Sequence, residues 1–245
     1  RAPVASHRQL LLGLGVDHPA AGGARRPAAA AEGPYLLCLG RVDRQKGVHL
    51  LVELFRAHKA RNPGPLRLVV AGPVVEEPPP APEVEVLGPV DEATKWALLD
   101  GAVALVSPSP WEAFSMVVAE AWSAGTPVLV HAGCAATVEH CRRSGGGVAF
   151  AGFAEFEVAV GRLWLDPGWR ELLGSRGRAY VDRNLRWPRV VRRYGRFLER
   201  VAASGRDGGR RRARGQGAEP RPGQEMPPPK GRVPAVATTG TPSTA

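Results

Sequence analysis

Lysine is the scarcest charged residue of this 245-residue chain. Only Lys46, Lys59, Lys95 and Lys230 occur among 33 basic residues, which leaves 33 − 4 = 29 arginines. With abundant Ala, Gly and Pro, that bias marks a high-GC coding preference rather than a surface shaped for a polyanion. Cysteine is nearly missing too. Cys38, Cys134 and Cys141 lie in apolar contexts and are too few for a disulfide framework, which points to a reducing, cytoplasmic setting. No run reaches the roughly 18–20 consecutive apolar residues of a membrane-spanning helix. No signal peptide follows Arg1, and without an initiator Met the chain reads as one that begins inside a larger protein.

What is present fits a folded protein. Hydrophobic residues make up 44%, an ordinary globular share that excludes wholesale disorder and collagen-like structure. At roughly 100–200 residues per domain, the length suits one generous domain with extensions. The net charge of +10 is uneven: from Ala203 onward eight basic residues face three acids, giving 8 − 3 = +5. This segment is rich in Gly, Pro, Arg, Ser and Thr and poor in large apolar side chains. It cannot offset the entropy of ordering and reads as disordered. Its Arg210–Arg212 run is able to touch RNA, but a solvated tail is the plainer reading, and no nucleic-acid partner is expected. Residues 18–33 form a second soft stretch, a linker. The expected organisation is 1–33 as the remnant of a preceding domain plus linker, 34–202 as the folded domain, and 203–245 as a basic Pro/Gly-rich tail.

Between the soft stretches, short apolar runs alternate with helical patterns. Tyr35–Leu39, Leu66–Ala71, Val84–Leu87, Val103–Val106, Pro127–Val130 and Val148–Phe150 read as strands. Gly47–Arg61 has helical spacing, with Leu50, Leu51, Leu54 and Phe55 on one side. Further helices are expected at Asp91–Asp100, Ser115–Ser123, Glu155–Leu165, Gly168–Asn184 and Pro188–Val201. Short continuous apolar strands separated by helices imply a parallel sheet covered on both faces. The expected fold is α/β, a Rossmann-like parallel sheet with helices on both faces.

Open parallel sheets bind ligands where loops leave the carboxyl ends of their strands, and two such loops are chemically loaded. The first runs Gly40-Arg41-Val42-Asp43-Arg44-Gln45-Lys46-Gly47. Two cations, Arg41 and Lys46, beside a glycine-flanked helix start suit a diphosphate. A solvated basic turn is the alternative. The loop is neither a Walker A sequence nor a Gly-x-Gly-x-x-Gly fingerprint. The second loop carries Glu112 just before a helix and Glu120 within it. On a helix that spacing covers roughly 12 Å, more than the roughly 5–9.5 Å of a glycosidase carboxylate pair. A hydrolytic pair is disfavoured, and one extended ligand held at two points fits better. A nucleotide-sugar meets that requirement. Its diphosphate would sit on the backbone N–H groups around Phe114, Ser115 and Met116, with Glu112 at sugar hydroxyls and Glu120 at the ribose. A helix-start acid and a solvated glutamate are the alternative.

The patterns GRVDRQKG at 40–47 and PSPWEAFSMVVAEAWSAGTPVLV at 108–130 resemble the donor-binding half of family 4 of the retaining GT-B glycosyltransferases. The resemblance runs from about Tyr35 to Val201. It includes the glutamate-x₇-glutamate motif, Glu112 to Glu120, and the strand entry Ala124-Gly125-Thr126-Pro127-Val128. It implies that Arg41 and Lys46 neutralise the donor diphosphate, that Glu120 holds the ribose, and that Glu112 holds or polarises the transferred sugar. Glu112, Lys46 and Arg41 are thus the expected catalytic set. Retention of configuration, with the leaving phosphate helping to deprotonate the acceptor, is implied as well. Gly133 resembles the family loop that faces the sugar, and Gly88-Pro89-Val90 the segment lining the base pocket. With Gly40 at the strand end, the expected donor-binding residues are Gly40, Val90, Phe114, Ser115, Met116, Glu120 and Gly133.

The resemblance implies no metal and no cofactor. None of the seven aspartates forms an Asp-x-Asp pair, and Cys134, His140 and Cys141 lack the spacing and the fourth ligand of a zinc site. The expected partners are a nucleoside-diphosphate sugar and a glycan, lipid-linked or small-molecule acceptor. Family members carry the acceptor half in a preceding domain, to which only Arg1–His18 is loosely similar. A nucleotide-sugar-binding module without catalysis, or an inactive fragment, is the alternative. The last helix sets an apolar stripe (Val190, Tyr194, Phe197, Leu198, Val201) against arginines 189, 192, 193, 196 and 200. Packing of the stripe on the protein is the default, and peripheral attraction to an anionic membrane is the sharper idea.

Overall fold

Apolar runs of four or five residues become β1 (Tyr35–Leu39), β2 (Arg67–Ala71), β3 (Val84–Gly88), β4 (Ala104–Ser107), β5 (Val128–His131) and β6 (Gly147–Phe150). The amphipathic segments become α1 (Val48–Arg61), α2 (Glu92–Gly101), α3 (Met116–Ala124), α4 (Ala135–Ser144), α5 (Phe153–Leu165), α6 (Pro167–Asn184) and α7 (Trp187–Gly215). The computed structural model describes Leu10, residues 13–18 and residues 33–215. Contacts divide the chain into two units, Arg1–Glu199 and Arg200–Ala245. Described residues of the second belong to the end of α7.

All strand pairings are parallel, in the order β3-β2-β1-β4-β5-β6. Alternate strand residues divide between two cores. Leu36, Cys38, Leu68, Val70, Ala104, Val106 and Leu129 face the layer of α1 and α5. Tyr35, Leu37, Val69, Leu105, Val128 and Val130 face that of α2, α3, α4 and α6. Each fully buried large apolar side chain contributes roughly 1.5–3 kcal/mol. The two largest buried aromatics pair their polar atoms: Tyr35 Oη donates to Leu98 O (2.8 Å) and Trp122 Nε1 to Gly146 O (2.9 Å). The sheet is therefore a rigid platform for the loops at its carboxyl edge.

The Rossmann-like expectation is what the chain adopts, with strand and helix ends shifting by one or two residues. Two expectations are corrected. Helix α4 has no counterpart in the sequence reading, because its inward side is Thr137, Cys141 and Ser144 rather than an apolar stripe. Helix α7, expected to end at Val201, is assigned as far as Gly215. The rest of the expected disordered tail, 216–245, lies outside the described residues, as does most of the expected linker.

The connections create the crevice. β1 passes into α1 on one face and the adjacent β4 passes into α3 on the other, so their loops diverge at a topological switch point. The two loops still touch at their bases. Gly47, with φ of 79°, is so close that a Cβ there would stand 2.6 Å from the carbonyl oxygen of Pro108. Only glycine satisfies both the left-handed backbone and that approach.

Candidate functional site

Helices α2 and α6 start on aspartate caps: Asp91 accepts from Thr94 N–H and Asp166 from Trp169 N–H. Helices α1, α3 and α4, which follow β1, β4 and β5, have no side-chain cap. At α1 the first of the end donors, Val48 N–H, is taken by Asp43 O at 3.3 Å, whereas the first-turn N–H donors of α3 at the carboxyl edge are left for a ligand. α3 starts most unusually. Ser115, at its N-cap, is the one non-glycine among the described residues with positive φ, 63°. Such a conformation costs about 1–2 kcal/mol. Its hydroxyl is buried without a hydrogen-bond partner. A strained residue holding an unpaired hydroxyl is a cost that a ligand can repay.

Ser115 lines a cavity of about 170 Å³ between the two loops, together with Gly40, Arg41, Lys46, Glu112 and Met116. Six expected site residues are thus brought together from positions 40 to 116. Lys46 Nζ donates to Glu112 Oε1 at 2.6 Å, joining the loops. Asp43 shapes the first loop: one carboxylate oxygen accepts the Lys46 backbone N–H at 2.7 Å and the other accepts from Arg41 Nε. The Lys46 N–H foremost, against burial of the group and with Arg41 helping, holds the Asp43 carboxyl below its ordinary value of 3.8. Cys38 lies on the cavity wall. Burial, against the pull of Lys46, pushes its thiol up to about 12, so it is no nucleophile at neutral pH.

The remaining expected residues lie around this cavity. Gly133 lines a second groove of about 420 Å³ that also contains Glu112, so Glu112 stands where the two spaces meet. The Gly133 N–H, expected to face a ligand, instead donates to His131 Nδ1 at 3.0 Å. That bond holds the loop and makes His131 its brace. The Phe114 ring turns away from the cations and stacks edge-on against His140, with centroids 4.9 Å apart. Glu120 is on α3, where its Oε1 accepts from Lys95 Nζ at 2.8 Å. Val90 directly precedes Asp91, the cap of α2, the helix that carries Lys95.

Sequence reasoning missed Lys95, the Ser115 hydroxyl and the role of Asp43. A signal for Lys95 existed. In a chain that writes almost every cation as arginine, two of four lysines meet the two motif glutamates. The Ser115 hydroxyl had none, because its burial and its backbone angle are tertiary facts.

A family model for glycosyl transferases group 1 matches residues 33–166, more than half of the chain. The chain belongs to the glycosyl transferases group 1 family. This group 1 chain is similar in structure to a sucrose-phosphate synthase from Thermosynechococcus elongatus, at 25% identity and a TM-score of 0.59, over 73% of this chain and 50% of that one. It is similar to Anabaena HepE, solved with UDP and glucose, at 16% identity and 0.59, over 69% and 49%. It is also similar to an α,α-trehalose 6-phosphate synthase from Burkholderia multivorans, at 14% and 0.59, over 72% and 45%. The chain thus spans about half the length of the solved structures it matches. No curated protein matches it.

Among the described residues no helix is long and apolar enough to cross a membrane. The apolar stripe of α7 is only partly packed: Val190 is buried, but Tyr194 and Leu198 are exposed, as are Trp187 and Val191 beside them.

Proposed function

We propose that this chain binds a nucleoside-diphosphate sugar and supplies the donor side of a family 4, hexosyl-type transfer that retains configuration. The observation that carries the reading is Ser115, a buried, unpartnered hydroxyl at an uncapped helix N-terminus, in a residue that lines the same cavity as Arg41 and Lys46. A diphosphate supplies the acceptors that this hydroxyl and the first N–H groups of α3 lack, and competes with Glu112 and Asp43 for Lys46 and Arg41.

In this reading Lys46 leaves Glu112 for the diphosphate, and Glu112 turns to the hydroxyls of the sugar. As the glycosidic bond to the phosphate breaks, charge builds on the leaving oxygen, where Lys46, Arg41 and the α3 N-terminus stabilise it. The departing phosphate takes the proton of the acceptor hydroxyl attacking the same face. Glu120 accepts the ribose hydroxyls and Val90 lies by the base. The exposed side of α7 is the surface proposed for peripheral contact with anionic lipid, which co-sedimentation with phosphatidylglycerol vesicles reads directly.

Calorimetric titration with UDP, GDP and their glucose and mannose conjugates, beside a transfer assay, tests the proposal. One base should give saturable binding that Lys46→Ala weakens at least about tenfold. Binding without turnover would leave a nucleotide-sugar-binding module. No binding of any nucleotide would remove both readings.

A further inference from the structure

A further cavity, of about 390 Å³, shares no lining residue with the one that holds Arg41, Lys46 and Ser115, and contains neither Glu112 nor Gly133. It is built where α4, α6 and α7 meet the loop before α3. Its volume falls in the roughly 300–1,000 Å³ range of small-molecule sites.

Its walls divide by chemistry. Phe114 and Leu185 make one part apolar, and Arg143 of α4 with Arg193 of α7 make another cationic. Tyr180 anchors the cationic part. Its ring carries the Arg143 guanidinium, 6.0 Å from the centroid, and its hydroxyl pairs with His140 Nδ1 at 3.1 Å. Burial raises that hydroxyl above its ordinary value of 10 while Arg143 and Arg193 pull it down, so both guanidinium charges act on one oxygen. The positive charge is not matched from within. Glu139, the one carboxylate of the lining, is held at both oxygens by Arg142 (2.8 and 2.9 Å), and Arg143 makes no ion pair among the described residues.

Two guanidinium forks from separate helices call for more than one charge and more than two acceptor oxygens. A carboxylate offers one charge and two oxygens; a phosphate monoester offers close to two charges and three oxygens. A phosphate group alone would leave the Phe114 and Leu185 side of the cavity unfilled. We propose that this cavity binds a small organic phosphate, with its phosphate group between Arg143 and Arg193 and an apolar body against Phe114 and Leu185. The proposal stands apart from the sugar-transfer reading above.

The test titrates the 245-residue chain with phenyl phosphate, glucose 6-phosphate and inorganic phosphate. It uses the wild type, Lys46→Ala, and a double variant, Arg143→Gln with Arg193→Gln. Phenyl phosphate should bind saturably, at least about tenfold tighter than inorganic phosphate and tighter than glucose 6-phosphate. The double variant should weaken that binding at least about tenfold yet melt as the wild type does, since both arginines are exposed. Lys46→Ala should leave it unchanged. Loss in Lys46→Ala with retention in the double variant would put the phosphate in the donor cavity and overturn the proposal. Failure of phenyl phosphate to bind would overturn it too, as would equal or tighter binding of inorganic phosphate or glucose 6-phosphate.

Discussion

Lys46 and Glu112, 66 residues apart in sequence, form a 2.6 Å ion pair that closes the crevice across the switch point. Glu112 is the better buried partner, 16% exposed against 35% for Lys46. In the proposed reading, a diphosphate draws Lys46 away from this carboxylate.

The pair predicts opposite effects for its two members. Lys46→Ala removes a donor-side cation and should weaken UDP or GDP binding at least about tenfold. Glu112→Gln releases Lys46, so nucleotide should bind at least as tightly as in the wild type. Sugar transfer should nevertheless fall by about 10²–10³-fold, the scale of losing one well-placed polar group at a reacting centre. Calorimetry and a transfer assay on the same preparations separate the two. Equal weakening of nucleotide binding by both variants would show that Glu112 is not the group displaced.

Ser115 predicts a trade of stability against binding. Ser115→Ala deletes a buried hydroxyl that has no partner, which should raise stability by about 1 kcal/mol, while the left-handed backbone stays as it was. If that hydroxyl serves a phosphate, the same variant should bind nucleotide about five- to tenfold more weakly. Denaturant midpoints and titrations on one sample decide it. A variant neither more stable nor weaker in binding would mean the hydroxyl has neither role.

The fold was legible because its strands are continuous apolar runs and most helices carry an apolar side. Helix α4 was not, since small and polar residues bury against the sheet and leave no 3.6-residue pattern to read. At the site, Arg41, Lys46 and Glu112 announced themselves as charges in loops between a strand and a helix. What sequence could not supply was pairing. That Lys46 meets Glu112 and that Lys95 meets Glu120 follow from strand order and from the packing of loops and helices, which no local pattern encodes.

Asp43 gives the first loop a pH dependence of definite sign. Its carboxyl is held below 3.8 chiefly by the Lys46 N–H. A depressed acid contributes stability that is fully present above its unfolded value and is lost as pH falls through the folded one. The melting-temperature gap between wild type and Asp43→Ala should be constant from pH 5 to 8 and close as pH drops below about 4. A gap that widens in acid would reverse the assignment.

Lys95 and Glu120 test whether the ribose end of the site is built on an ion pair. Their side chains are 18% and 13% exposed, and Lys95 also donates to Glu92 at 2.9 Å. Burial opposes the Lys95 charge, but the hydrogen bonds to Glu120 and Glu92 prevail and raise its pKa above 10.5. A raised lysine contributes stability fully present below its unfolded value, so the Lys95 contribution is constant throughout pH 6–9. Lys95→Met strands the Glu120 carboxylate and should cost about 2–3 kcal/mol, somewhat less than the roughly 3–5 kcal/mol of a fully buried pair because both side chains keep some exposure. Lys95→Met with Glu120→Met should recover most of that loss, because no unpaired charge remains. The double variant then carries the functional question. With one Glu120 oxygen accepting from Lys95, the carboxylate can still take a ribose hydroxyl, so wild type should prefer UDP over 2′-deoxy-UDP about tenfold, or GDP over 2′-deoxy-GDP if guanosine is the base. The double variant should bind both alike; a preserved preference would place the ribose elsewhere and leave Glu120 as the partner that keeps Lys95 charged between α2 and α3.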